Sequence, residues 1–127
     1  MRIALVGCGR VAKHYRSMLA DPLLSDVKVV GVVDIDAAKR DEFAKHFGAI
    51  ASTTVEECIE KSNPELLVIA TPSGLHAEHT RIVLEHGRHV LAEKPAAMLP
   101  SEIRSLDALA KKKGLMYGVA FQNRLNP

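Results

Sequence analysis

The stretch that most constrains this chain is Arg2 to Ala12, Arg-Ile-Ala-Leu-Val-Gly-Cys-Gly-Arg-Val-Ala, where a short apolar run breaks at two glycines and resumes with helical spacing. A run so short, apolar almost throughout and bounded by glycine, reads as a strand buried on both faces, as parallel sheets require. Gly7 and Gly9 permit a tight turn whose amides no Cβ covers. The helix behind them offers unpaired N–H groups and the positive end of its dipole, which suits a phosphate. Ala12 fills the third position of the GxGxxG/A pattern, where a small side chain lets helix and strand pack closely. The same residues also serve elsewhere as a plain structural corner, so their surroundings must discriminate.

Taken in order, apolar spacing predicts a helix on Val11, Tyr15, Met18 and Leu19, closed by Pro22, and a second buried strand over Val27 to Val33 that ends at Asp34. Ala37 to Phe47 reads as a helix with Phe43, Ala44 and Phe47 on one face and Gly48 beyond its end, and Ala49 to Ala51 as a short strand. Thr53 followed by Glu56 has the form of a capping box for a short helix on Val55, Cys58 and Ile59, with Cys58 as core packing. Leu66 to Ala70 is a fourth strand, and Leu75, His79, Ile82, Val83 and His86 follow at helical spacing in the next helix, which Gly87 ends. His89 to Ala92 is a strand that Glu93-Lys94-Pro95 terminates. Ser101 to Lys113 is a helix on Ile103, Leu106, Leu109 and Ala110, and Leu115 to Phe121 a sixth strand.

Strands alternating with helices demand right-handed crossovers and a parallel sheet. A glycine corner after the first strand favours a Rossmann-type doubly wound α/β fold, order 3-2-1-4-5-6, with helices on both faces. Such a sheet binds ligands outside the carboxyl ends of its strands, at the switch between the first and fourth. Gly7 to Ala12, Asp34, Thr71 to His76, Glu93 to Pro95 and Gln122 to Asn126 all follow strands at that edge. A structural corner alone has no use for polar groups on five separate loops. Asp34, roughly 20 residues or more beyond the glycines, stands where a dinucleotide site places a carboxylate for the adenosine ribose hydroxyls. A carboxylate there favours NAD over NADP, whose 2′-phosphate it would repel, although Lys39 and Arg40 lie nearby.

Several classes fall away. A formal charge of +2 gives no strong field for nucleic acid, and with aromatics at 4% there are few platforms on which bases could stack. Lys111 to Lys113 precede Gly114 and read as the solvated end of a helix. No apolar run approaches the roughly twenty residues that span a bilayer. His14, His46, His79, His86 and His89 lie on helix faces or a strand start, where solvated or capping roles are expected, and form no metal-ligand spacing with the two cysteines, so no metal is expected; a reducing, cytoplasmic setting fits. Cys8, at a helix N-terminus, is expected to have some thiolate character and to lie beneath a bound pyrophosphate.

Gly7-Cys8-Gly9-Arg10-Val11-Ala12, the strand-ending Asp34, Thr71-Pro72-Ser73-Gly74-Leu75-His76 and above all Glu93-Lys94-Pro95 resemble the Gfo/Idh/MocA oxidoreductases, the glucose-fructose oxidoreductase and inositol dehydrogenase family. The likeness covers essentially the whole chain. Phe121 to Pro127, with the Thr-Pro-Ser-Gly-Leu-His segment, further resembles members that oxidise the 3-hydroxyl of UDP-N-acetylhexosamine-type sugars. The resemblance implies hydride transfer between a sugar, UDP-sugar or polyol carbon and a nicotinamide. Gly7, Gly9, Arg10, Val11 and Asp34 would bind the dinucleotide, with Thr71, Pro72 and His76 lining it, Glu93 touching the nicotinamide ribose and Gln122 beside the cofactor. Lys94 would be the catalytic lysine, with Asn123 and Arg124 on the substrate side. In the family a second domain follows and completes the sugar site, and full-length members are expected to be homo-oligomers. On this reading residues 1–121 are the dinucleotide domain and 122–127 the start of the crossover, so the chain by itself binds NAD without turning over. A catalytically silent nucleotide sensor is the alternative, which Lys94 argues against because a sensor has no need of it.

Overall fold

In the computed structural model, which describes residues 1–121, the strands β1 (Arg2–Val6), β2 (Lys28–Val33), β3 (Ile50–Ser52), β4 (Leu66–Ile69), β5 (His89–Glu93) and β6 (Tyr117–Ala120) form one sheet in the order β3-β2-β1-β4-β5-β6. Every pairing is parallel. Helices α1 (Arg10–Met18), α2 (Ala37–Phe47), α3 (Val55–Ser62), α4 (His76–Glu85) and α5 (Pro100–Lys113) make the crossovers. This is the doubly wound sheet expected from the alternation of patterns.

The pleat explains why the strands are apolar throughout. Successive residues of β1 point to opposite faces. Ile3 and Leu5 join Val29, Val32 and Val68 under Ala12 and Tyr15 of α1 and Phe43 of α2. Ala4 and Val6 join Leu67, Ile69, Val90 and Ala92 under α3, α4 and α5. Two cores back to back leave the sheet with no wet face, and they hold the strands' carboxyl ends along a single edge.

Element boundaries differ from expectation where pairing or capping decides. Ser52 pairs with Val33, so β3 runs one residue further and α3 starts later. The N-cap is accordingly Thr54 rather than Thr53: Thr54 Oγ1 accepts from Glu57 N–H at 3.2 Å, while the Glu57 carboxylate accepts from Thr53 N–H at 3.0 Å. Glu93 pairs with Ala120 and so belongs to β5 instead of ending it. β6 is shorter than Leu115 to Phe121, because Leu115 N–H is still bonded to Ala110 O in the turn that closes α5. The buried face of α4 is His76, Thr80, Val83 and Leu84, so of the residues at helical spacing only Val83 is fully buried. Leu75 ends a 3-10 turn, Ser73–Leu75, and is exposed, so the helix begins one residue later and rotated. Ile103, expected inward on α5, is exposed as well.

Candidate functional site

Gly7 takes φ +94, and a Cβ there would stand 2.6 Å from Ala70 O and 2.9 Å from Thr71 N. The β1–α1 turn therefore lies directly against the chain leaving β4, at the point where the sheet changes direction. Only glycine allows both the left-handed backbone and this contact. Gly9 serves differently: a Cβ on it would meet nothing within 4 Å. It is the N-cap of α1, no side chain caps that helix, and its first turn carries no acid. No side-chain cap takes up the amides at this end, and no Cβ at Gly9 covers them.

Asp34, at the end of β2, is tied to that turn. Its Oδ2 accepts from Cys8 N–H and its Oδ1 from Asp36 N–H, both at 2.8 Å, while Arg40 Nη1 donates to its carbonyl oxygen at 3.3 Å. Asp36, read from the sequence as a turn residue, also caps α2 by accepting from Lys39 N–H. A cleft of about 610 Å³ opens over these loops, lined by Gly7, Gly9, Asp34, Asp36, Lys39, Thr71, Pro72 and His79 among others. Four groups expected to gather are thus brought together: the two glycines, Asp34, and the Thr71-Pro72 turn. Arg10, exposed at the first position of α1, and the half-buried Val11 do not line the cleft.

Sequence reasoning missed other walls. Thr53, Thr54, Val55 and Glu56 border the cleft from the β3–α3 turn, and Glu78, His79 and Ile82 from α4. The rule that ligands sit at strand carboxyl ends covers β3 as well, so the Thr-Thr pair after it was discoverable. His79, taken as solvated, is half-buried, with Nδ1 3.0 Å from Thr71 Oγ1. Burial lowers its pKa below the usual histidine value, opposed by the negative charge of Glu78.

Cys8 corrects an expectation outright. Its side chain is 1% exposed and points into the core beneath α1, with Sγ 3.7 Å from Val33 O. Burial, reinforced by the Asp34 carboxylate, pushes the thiol up to about 12, so it has no thiolate character at neutral pH. The neighbouring glycines face the cleft; the intervening side chain faces the other way.

The β5 loop stands apart from the cleft. Lys94 is exposed, and its bond to Pro95 is a cis peptide. Glu93 is 5% exposed, and its Oε1 accepts from Tyr15 O–H of α1 at 2.6 Å. Burial and this bond raise the pKa of the Tyr15 hydroxyl above the usual tyrosine value. His76, expected to line the cofactor, is 2% exposed and outside the cleft lining. Its Nε2 lies 2.6 Å from Thr71 O and its Nδ1 2.7 Å from Pro95 O; whichever nitrogen carries a proton donates to the carbonyl it faces. Met98, Leu99 and Phe121 are exposed. Gln122, Asn123 and Arg124 lie outside the described residues. Among the described residues, no group of three or more His, Cys, Asp or Glu could hold a metal ion, and no helix is long and apolar enough to cross a membrane.

Residues 1–121 match the family model described as oxidoreductase family, NAD-binding Rossmann fold. The dTDP-3,4-didehydro-2,6-dideoxy-alpha-D-glucose 3-reductase of Saccharopolyspora spinosa is 35% identical over 91% of this chain and 35% of its own length. The WlbA dehydrogenase of Chromobacterium violaceum, solved with NADH and UDP-GlcNAcA, superposes with a TM-score of 0.93 at 30% identity, covering 99% of this chain and 36% of that one. KijD10, a 3-ketoreductase of Actinomadura kijaniata solved with TDP-benzene and NADP as its K102E mutant, gives 0.84 at 25% identity over 95% and 38%. The chain spans about a third of the length of the curated relatives it matches.

Proposed function

The chain belongs to the Gfo/Idh/MocA oxidoreductase family, whose members are NAD(P)-dependent dehydrogenases, and on that premise we propose that it is the NAD-binding half of an enzyme moving a hydride between a sugar, UDP-sugar or polyol hydroxyl carbon and nicotinamide. The observation that carries this is the convergence, in one cleft, of the Gly7 corner, the open side of Gly9, the uncapped start of α1 and the Asp34 carboxylate. The residues fit a dinucleotide. Gly9 leaves room where a Cβ would intrude, and amides of a helix N-terminus suit the charge of a pyrophosphate.

In this reading the amides behind Gly9 hold the pyrophosphate and Asp34 accepts from the adenosine ribose hydroxyls. Each Asp34 oxygen already takes one backbone N–H and has a further lone pair to offer. Thr71 and Pro72 wall the cleft, and Glu93, which is outside its lining, is assigned to the nicotinamide ribose on the family resemblance. The bound nicotinamide supplies the two-electron acceptor or donor. Lys94 holds the reacting hydroxyl: an ammonium beside a developing alkoxide favours the transition state over the ground state, and a partly desolvated lysine can move the proton. NAD is preferred to NADP, because a 2′-phosphate would sit against the Asp34 carboxylate while Arg40 is engaged by the Asp34 carbonyl and Asp41. Relatives bind NADH or NADP, so the preference lies in this loop and not in the fold.

The domain reading follows the same lines, with 1–121 as the dinucleotide unit and 122–127 leading to a substrate domain. Residues 1–127 taken by themselves would offer the substrate only the groups of this unit, and much of the roughly 7–11 kcal/mol that orientation contributes in favourable systems would be absent from them. Titration calorimetry with NAD and NADP, and an NADH absorbance assay over UDP-sugars and polyols, test all of this. NAD binding without turnover is expected. Tighter NADP binding would refute the cofactor assignment, and sustained Lys94-dependent turnover by these 127 residues would refute the need for a second domain.

A further inference from the structure

Lys94 lies between two residues that are each gripped from a different helix. On its N-terminal side, buried Glu93 accepts from Tyr15 O–H at 2.6 Å; on its C-terminal side, the Pro95 carbonyl faces His76 Nδ1 at 2.7 Å. Both grips run back to the cleft. Tyr15 belongs to α1, whose start is the Gly9 corner, and His76 reaches with its other nitrogen to the carbonyl of Thr71, a cleft wall. Both side chains are buried, at 7% and 2% exposure, so water competes poorly for either bond.

We propose that Tyr15 and His76 are positioning residues that fix the backbone of Lys94 relative to the dinucleotide cleft, one from the phosphate-binding helix and one from the Thr71 turn. The proposal rests on the reading of Lys94 as the reacting lysine. A long, exposed side chain can be aimed only if its own backbone is held, and the loop after β5 has no further strand partner beyond Glu93 among the described pairings. His76 thereby acquires a role through other residues, where the family resemblance would have it line the cofactor.

The test is 15N relaxation of the Lys94 and Ala96 amides in the protein, in Tyr15→Phe, in His76→Gln and in the double variant, all without nucleotide, alongside NAD titration of each. Phe keeps the ring and removes the donor; Gln places an amide oxygen where one ring nitrogen faced a carbonyl. The Lys94 order parameter is expected near the rigid-backbone value of about 0.85 in the wild type, lower in each single variant and below about 0.6 in the double variant, with β4 and β5 amides unmoved. NAD affinity should change less than about threefold, since neither side chain lines the cleft. Wild-type order at Lys94 in both single variants would overturn the proposal, as would loosening spread evenly over β4 and β5, which is the signature of a merely structural role. Should His76→Gln fail to fold, Tyr15→Phe decides alone. A wild type that does not bind NAD sinks the proposed function, while the relaxation comparison still returns its answer.

Discussion

The two ends of the site are built by different means. Around Gly7, Gly9 and Asp34 the chain is shaped by backbone: a positive φ, amides left open at a helix start, and one carboxylate receiving N–H groups from the Cys8 and Asp36 positions. Around Lys94 the loop is held by side chains from distant helices, Tyr15 and His76, acting on Glu93 and on the Pro95 carbonyl. The difference teaches where each end is vulnerable. Backbone geometry fails through sterics and takes binding and stability with it, whereas a side-chain grip can be removed while the nucleotide end stays intact.

Gly7→Ala attacks the first end hardest. A residue with φ +94 and a Cβ 2.6 Å from Ala70 O has to move β1 away from β4, costing roughly 2–4 kcal/mol from backbone strain and overpacking together. The melting temperature should fall by about 10 °C or more, and NAD binding should be lost at temperatures where the protein is still folded. Unchanged melting would mean that the two turns are not in contact and would break the comparison.

Asp34→Ala should be milder, acting on the cleft and releasing the Cys8 and Asp36 N–H groups that the carboxylate accepts from. Losing charge-assisted bonds to ribose, worth about 1.5–3 kcal/mol in total, weakens NAD roughly tenfold to a hundredfold by calorimetry. NADP should suffer less, narrowing the gap between the two cofactors.

Tyr15→Phe sharpens the contrast from the other end. The buried Glu93 carboxylate loses a donor, at a cost of about 1–2 kcal/mol in denaturant unfolding, yet NAD affinity should hold. If NAD binding falls in proportion to stability, the two ends are one mechanical unit and the distinction drawn above is wrong.

The smallest effect is expected at Cys8, which sits in the nucleotide end but faces the core. Iodoacetamide should label it slowly at pH 8 even without NAD, because a buried thiol reacts only when the structure opens. The pH dependence has a definite sign. Because the folded thiol is raised from 9.0 to about 12, the stabilisation is intact below pH 9 and is lost as pH rises toward 12, where the unfolded chain ionises and the folded one does not. Urea titrations at pH 8 and pH 10.5 should show the decline, and Cys8→Ala should reduce it. Labelling without NAD as fast as that of a free cysteine would place the thiol in the cleft.

What the sequence by itself determined is whatever local chemistry dictates. Apolar runs of strand length alternating with helical periods left no fold but a parallel doubly wound sheet, since short connections and right-handed crossovers exclude the rest. A glycine turn after the first strand and an acid after the second placed the nucleotide end, because tight turns need particular residues wherever they occur. Tertiary structure alone decided the rest. The direction of the Cys8 side chain depended on which face of the turn met α1 and Val33, and Thr53 and Thr54 became cleft walls only when β3 settled beside β2. His76 and Tyr15 carry no local signal of their role. Each is a polar residue on a helix face, and what makes it an anchor is a carbonyl or carboxylate brought within hydrogen-bond reach from far along the chain, a proximity that the packing of α1 and α4 on opposite faces of the sheet creates and that no spacing in the sequence encodes.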